Sequence, residues 1–177
     1  MIAYIGFGCR VLLAVVFFAA AVSKARGRRE RAEFRASLGA FGVRPRWRSG
    51  VAAVVITCEL ATAVLLAADV TALAGLAVGA TLLLVFTMAI TSALRRGASA
   101  TCRCFGASTQ PLGRRHLVRN ALLLAFAAVG FTGTSPTAAL GAAGWNPAAL
   151  LVAGFVAVIL AILVISYDDL VALALPR

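Results

Sequence analysis

The chain is predicted to be an all-α integral membrane protein, one helical domain over residues 1–177 built from about five transmembrane helices. Three observations predict this. Of 177 residues 62% are hydrophobic and only 13% charged, and the mean hydropathy is +0.99, a combination foreign to water-soluble domains of this size. Apolar runs approach the ~20 residues needed to cross a hydrocarbon core of ~30 Å. The basic residues fall almost entirely between alternate runs.

The first span runs from Ile2 to Ser23. Its start, Met1-Ile2-Ala3-Tyr4, lacks a basic n-region, so the helix is expected to be retained. Cys9 follows too short an apolar stretch to be a lipoprotein site. The second span is Gly50 to Ala68, with Trp47 as an interfacial anchor, and the third is Val70 to Leu94. Gly75 and Gly79 in the third form a small-xxx-small pair that admits a close neighbour. The fourth, Leu117 to Phe131, is the shortest. The fifth, Pro147 to Ser166, begins on a proline suited to a first helical turn, behind Trp145 as a second anchor. Subtracting these spans leaves no material for a soluble domain.

A net charge of +11 would suit a nucleic-acid binder, but its distribution speaks for a membrane. Lys24, Arg26, Arg28, Arg29, Arg31, Arg35, Arg44, Arg46 and Arg48 are assigned to the first link. Arg95, Arg96, Arg103, Arg114, Arg115 and Arg119 are assigned to the third. The second and fourth links carry no basic residue. Cytoplasmic loops accumulate Lys and Arg, so the N-terminus is expected outside and the C-terminus inside a cell (inner, cytoplasmic) membrane. The run from Arg26 to Arg35 is expected to meet anionic lipid headgroups rather than nucleic acid.

The third link holds Thr101-Cys102-Arg103-Cys104-Phe105-Gly106. A disulfide between Cys102 and Cys104 would close too small a loop to stabilise a fold appreciably. Thiol–disulfide exchange is the alternative use, with Cys102 and Cys104 as the exchanging pair. Exchange needs a thiolate, and Arg103, with Arg95, Arg96, Arg114 and Arg115 nearby in sequence, favours the charged form. Two unpaired loop cysteines are the plainer reading.

Ionisable groups inside apolar spans are costly and so are candidates for function. Arg10 lies about 12 Å from the outer end of the first span and Glu59 about 14 Å from the inner end of the second, at ~1.5 Å per residue. These depths allow an ion pair between them. Cys9 and Cys58 immediately precede the two charges, so a membrane-embedded site of Cys9, Arg10, Cys58 and Glu59 is a candidate. Buried cysteine acting as a small apolar filler is the alternative for both thiols. The single histidine, His116, has no partners at ligand spacing, so no metal site is expected. A CxxCH haem motif and a phosphate-binding Gly-rich loop are both absent. His116 reads as an interfacial helix-start residue, and Asp168 and Asp169 as a solvated helix end.

Taken together, Arg10 with Ser23-Lys24, Glu59, Cys102-x-Cys104-Phe105-Gly106 and Leu117-Val118-Arg119-Asn120 resemble the MauE family of methylamine-utilisation membrane proteins, related to DoxX-like bundles. The resemblance is strongest over residues 1–133. It implies a four-helix DoxX-like core plus one further span. It also implies a role in maturing an extracytoplasmic enzyme of the methylamine dehydrogenase type, alongside a thioredoxin-like partner of the MauD type and a disulfide-containing client. The expected function is therefore a membrane thiol–disulfide redox protein within amine metabolism. The alternatives are a subunit binding quinone or another small molecule, for which Arg10 and Glu59 would matter more than the thiols, and an assembly factor without turnover. The charge rule puts the CxC link on the cytoplasmic side while the implied client lies outside. A transmembrane relay or a re-entrant link would reconcile the two.

Overall fold

In a lipid core every backbone N–H and C=O must be satisfied within the chain, which restricts spanning segments of this composition to helices. The computed structural model describes residues 1–97, 113–134 and 146–174, with side chains up to residue 167. Among these residues there is no strand. The helices are α1 (Ile2–Ala25), α2 (Arg28–Ser37), α3 (Arg48–Ala67), α4 (Ala72–Arg95), α5 (Arg114–Gly133) and α6 (Pro147–Ala174). Single 3₁₀ turns, Pro45–Trp47 and Asp69–Thr71, lead into α3 and α4. All but α2 belong to segments long and apolar enough to cross a membrane, and the protein is multi-pass.

Helices α1, α3, α4 and α5 form a ring in which each packs on the next, and α6 lies outside it against α1. The expected four-helix core plus one span is what the chain adopts. The core is made of Leu12, Leu13, Val16, Phe17, Leu66, Leu76, Leu83 and Leu123. Among the residues of α6 whose side chains are described, Ala157 and Ala161, one turn apart, are the fully buried ones. Leu151, Val152, Phe155 and Ile162 are exposed, an apolar surface suited to lipid.

Lipid supplies no hydrophobic drive for helix association, so close packing and polar contacts must supply it. Gly6 of α1 meets Gly133 of α5 backbone to backbone: a Cβ on Gly6 would lie 2.6 Å from the Gly133 carbonyl carbon. Gly75 lets α4 sit on α3 in the same way, with a Cβ there reaching 2.9 Å from the Leu66 nitrogen. Gly79 faces Phe17 and Thr62. The Gly75/Gly79 pair thus packs as its spacing predicts. Asn120 of α5 donates to the Thr87 hydroxyl of α4 at 3.3 Å. The α6 helix is capped by Asn146, whose Oδ1 accepts the Ala148 N–H. The Asn146 N–H in turn donates to the Tyr4 hydroxyl on α1 at 2.9 Å.

One end of the bundle, here the basic end, collects α2, Arg44 to Arg48, Arg95, Arg96, Arg114 and Arg115. The opposite end carries Asp69 and the Gly6–Gly133 contact. Residues 28–37, read from sequence only as a basic link, form an amphipathic helix. Gly27 starts it in extended conformation, and Glu30 near its start and Arg35 near its end complement the helix dipole. An Arg29–Glu33 pair at 2.9 Å spans one turn. Phe34 and Leu38 hold α2 to Ala52 of α3. Trp47 stands 58% exposed at the start of α3, as an interfacial anchor should. Two cations assigned to links are instead buried within the bundle: Lys24 and Arg119 are each 2% exposed. Trp145 lies outside the described residues.

Candidate functional site

Two ion pairs tie α1 to α3 and to the turn that follows it in the described part of the bundle. Near the basic end, Lys24 Nζ of α1 donates to both oxygens of Glu59 on α3, at 2.7 and 2.9 Å, and to the Ala20 carbonyl at 3.2 Å. The pair is sealed from solvent, at 2% and 0% side-chain exposure. Phe34 of α2 covers it, with the ammonium 5.4 Å from the ring centroid. Beside it lies an apolar cavity of about 230 Å³ lined by Lys24, Phe34, Phe41, Val55 and Phe86 among others.

Toward the opposite end, Arg10 grips the end of α3. Its Nε and Nη2 donate to the Leu66 carbonyl at 3.3 and 3.2 Å, and Nη1 pairs with Asp69 at 2.5 Å. Leu66 is a last-turn residue of α3, whose carbonyl lacks an intrahelical acceptor role. The guanidinium thus caps a helix end while Asp69, 85% exposed, balances its charge.

The expected Arg10–Glu59 pair does not form, and side-chain direction explains why. Helical Cα–Cβ bonds tilt toward the helix N-terminus. Arg10 on α1 is therefore aimed toward the Asp69 end, whereas Glu59 on the antiparallel α3 is aimed toward the basic end. They diverge, and each meets a residue toward which it already leans. Lys24 is aimed into the bundle by the same rule.

The four-residue site of Cys9, Arg10, Cys58 and Glu59 is likewise not assembled. Cys9 turns to α5 and α6, where it approaches Gly130 and lines an apolar cleft of about 310 Å³ with Phe126 and Ala157. Arg10, about 100° further round the helix, takes the α3 side. Cys58 lies eight residues before Leu66 on α3, about 12 Å along its axis, so the two thiols are not at one depth. Both are free cysteines, Cys9 buried and Cys58 partly so. Cys102, Arg103 and Cys104 lie outside the described residues.

Lys24, singled out in the sequence only through the family resemblance, and Asp69, read as part of a link, complete the two ion pairs; each lies at the edge of an apolar run. The N-terminal half of α5 adds a further buried polar stripe: His116, Arg119 and Asn120 are at most 2% exposed. Among the described residues, no three of His, Cys, Asp and Glu come together as a metal centre would require.

Comparison with curated proteins and with solved structures gives no match. A family model does match: that of methylamine utilisation protein MauE, over residues 2–133. The matched stretch runs from the first residue of α1 to the last of α5, takes in the Lys24–Glu59 and Arg10–Asp69 pairs and the Cys102-Arg103-Cys104 segment, and leaves out α6. This chain belongs to the MauE family and is a membrane protein of the kind associated with methylamine utilisation.

Proposed function

We propose that the protein exchanges thiols and disulfides at a cell membrane, in support of an extracytoplasmic enzyme that matures through disulfide bonds. The observation that carries this reading is the Cys102-Arg103-Cys104 segment, joined to α4 through Arg95 and Arg96 and to α5 through Arg114 and Arg115. Cationic surroundings lower a thiol's pKa and so raise its thiolate fraction at neutral pH. One thiolate attacks a disulfide of a thioredoxin-like partner and releases one of its sulfurs as thiolate. The second CxC thiol, deprotonated, attacks the resulting mixed disulfide. The partner leaves as a dithiol and Cys102–Cys104 becomes the disulfide; reversal transfers two electrons the other way. Family membership supports the setting, and the basic end supports an orientation with the N-terminus outside and this segment cytoplasmic in the inner membrane. A re-entrant link, or a separate dithiol carrier crossing the membrane, would bring the equivalents to the outer side.

The test is alkylation gel analysis of membranes carrying cysteine variants, alongside a client maturation assay. Cys102→Ser or Cys104→Ser should trap a mixed disulfide, because one of them lacks the resolving thiol. Replacing both should abolish trapping and maturation together. Normal maturation in the double variant refutes the proposal and leaves an assembly role.

A second reading, a subunit that binds quinone or another small apolar molecule, is favoured by the cavity beside Lys24. The Lys24 ammonium spends its donors on Glu59 and Ala20, which weakens its claim as a headgroup ligand. Quinone recovered after gentle extraction, and lost on Phe86→Trp, would support this reading over the first.

A further inference from the structure

A groove of about 320 Å³ runs between α2 and α3 at the basic end. One wall carries Arg28, Arg31 and Arg35; the other carries Ser49, Ala52, Ala53 and Ile56. The three arginines are spaced i, i+3 and i+7, which places them along one side of α2. Phe34 and Leu38 fasten α2 to the bundle, so the helix that carries these arginines is held alongside α3. Arg31 and Arg35 each donate Nε to a carbonyl one turn back, those of Gly27 and Arg31, at 3.2 Å. That leaves their terminal nitrogens for another acceptor. The only ion pair of α2 among the described residues uses Arg29 and Glu33, so no carboxylate neutralises Arg28, Arg31 or Arg35 there.

The two walls ask for different things. Three cations and the Ser49 hydroxyl suit a phosphate oxyanion, for which guanidinium offers several donors in a fork. The small and aliphatic residues of α3 belong to a membrane-spanning segment and suit hydrocarbon. A ligand meeting both must carry an anionic phosphate directly attached to acyl chains. We propose that this groove binds one anionic phospholipid, its phosphate on Arg28, Arg31 and Arg35 and the start of a chain along Ala52, Ala53 and Ile56. The inference is independent of the thiol chemistry.

The experiment uses the full chain purified in mild non-ionic detergent, with its thermal unfolding midpoint followed as lipid is added. Phosphatidylglycerol should raise the midpoint saturably, whereas phosphatidylcholine with the same chains and soluble glycerophosphoglycerol should not do so over the same range. Arg31→Gln with Arg35→Gln should weaken the phosphatidylglycerol effect about tenfold to thirtyfold, and their hydrogen bonds within an exposed helix leave the lipid-free midpoint close to the parent's. Arg44→Gln with Arg46→Gln, basic residues of the same end outside the groove, should change it less than about threefold. Equal loss in both double variants would reduce the effect to diffuse charge and overturn the site. Binding of the soluble headgroup as tight as that of the lipid would make it a phosphate site, and equal binding of phosphatidylcholine would remove the role of charge; either result overturns the proposal. Should the groove variant start from a lower midpoint, Arg28→Gln alone is the deciding variant, with a loss of about threefold or more expected and no loss refuting the assignment.

Discussion

Breaking the Lys24–Glu59 pair is expected to destabilise the bundle strongly, and the two single losses should differ in size. At 2.7 Å and an effective dielectric of about 20, the Coulomb attraction is on the order of 6 kcal/mol. Desolvating each ion costs several kcal/mol, so the intact pair contributes little net stability. A lone survivor retains its desolvation cost without the attraction, and about 3–5 kcal/mol is the expected loss for a fully buried one. Glu59 lies eleven residues into α3 from Arg48, about 16 Å along the axis, too far for its short side chain to reach the helix end. Lys24 is the penultimate residue of α1, and its longer stem can turn back toward water. Lys24→Met should therefore cost the full amount and Glu59→Leu about 1–2 kcal/mol less. Lys24→Met with Glu59→Leu, which keeps side-chain bulk, should come back to within about 1 kcal/mol of the parent. The assay is reversible unfolding of the purified protein in mixed micelles, read as a double-mutant cycle. Losses that add to within about 0.5 kcal/mol would show that the two charges do not act on each other.

At the other end, Asp69→Asn should cost less than about 1 kcal/mol, because the carboxylate is largely exposed; Arg10→Ala should cost more, since it also strips the donors from the Leu66 carbonyl. A micelle unfolding series that reversed this order would contradict the capping role. Gly133→Ala puts a methyl group into the backbone of Gly6 and should cost about 1–3 kcal/mol or more, measurable as a lowered melting midpoint, whereas Gly50→Ala, in α3 with nothing near its Cβ position, should be neutral or stabilise by up to about 1 kcal/mol. Reporter fusions after Arg48 and after Arg96 should both read as cytoplasmic, and an external signal at either would reverse the proposed orientation.

Hydropathy alone located the five spans, because crossing a hydrocarbon core demands length and apolarity before anything else. The shortest, expected from Leu117 to Phe131, proved longer at its basic end, since α5 begins at Arg114 and buries His116 and Arg119. Charge counting hid Arg119 and Lys24 in the same manner: a cation beside several others reads as loop, though one helical turn decides whether it faces water or protein. The Arg10–Glu59 expectation used depth and ignored the tilt of side chains toward a helix N-terminus, which reassigns both charges correctly once α1 and α3 are known to be antiparallel. Helix α2 was hidden because Phe34 and Leu38 are its few apolar anchors among arginines. Gly6 and Gly133 could not be paired from sequence, as they are far apart in the chain and belong to no local motif.

The two cations of α1 also act as a gauge of axial position. Arg10 and Lys24 are fourteen residues apart, about 21 Å and close to four whole turns, so both face α3. Their partners Leu66 and Glu59 are seven residues apart, about 10 Å and close to two turns. The two intervals differ by about 10 Å, and the lean of the Lys24 and Glu59 side chains toward each other spans the difference. A Leu/Ala/Val surface against another in lipid has many near-equivalent sliding positions; these two unequal intervals coincide at one of them. Shifting α1 by a single turn, about 5.4 Å, would strand one charge or crush the other, so the register of α1 against α3 is marked by these charged contacts as well as by apolar packing.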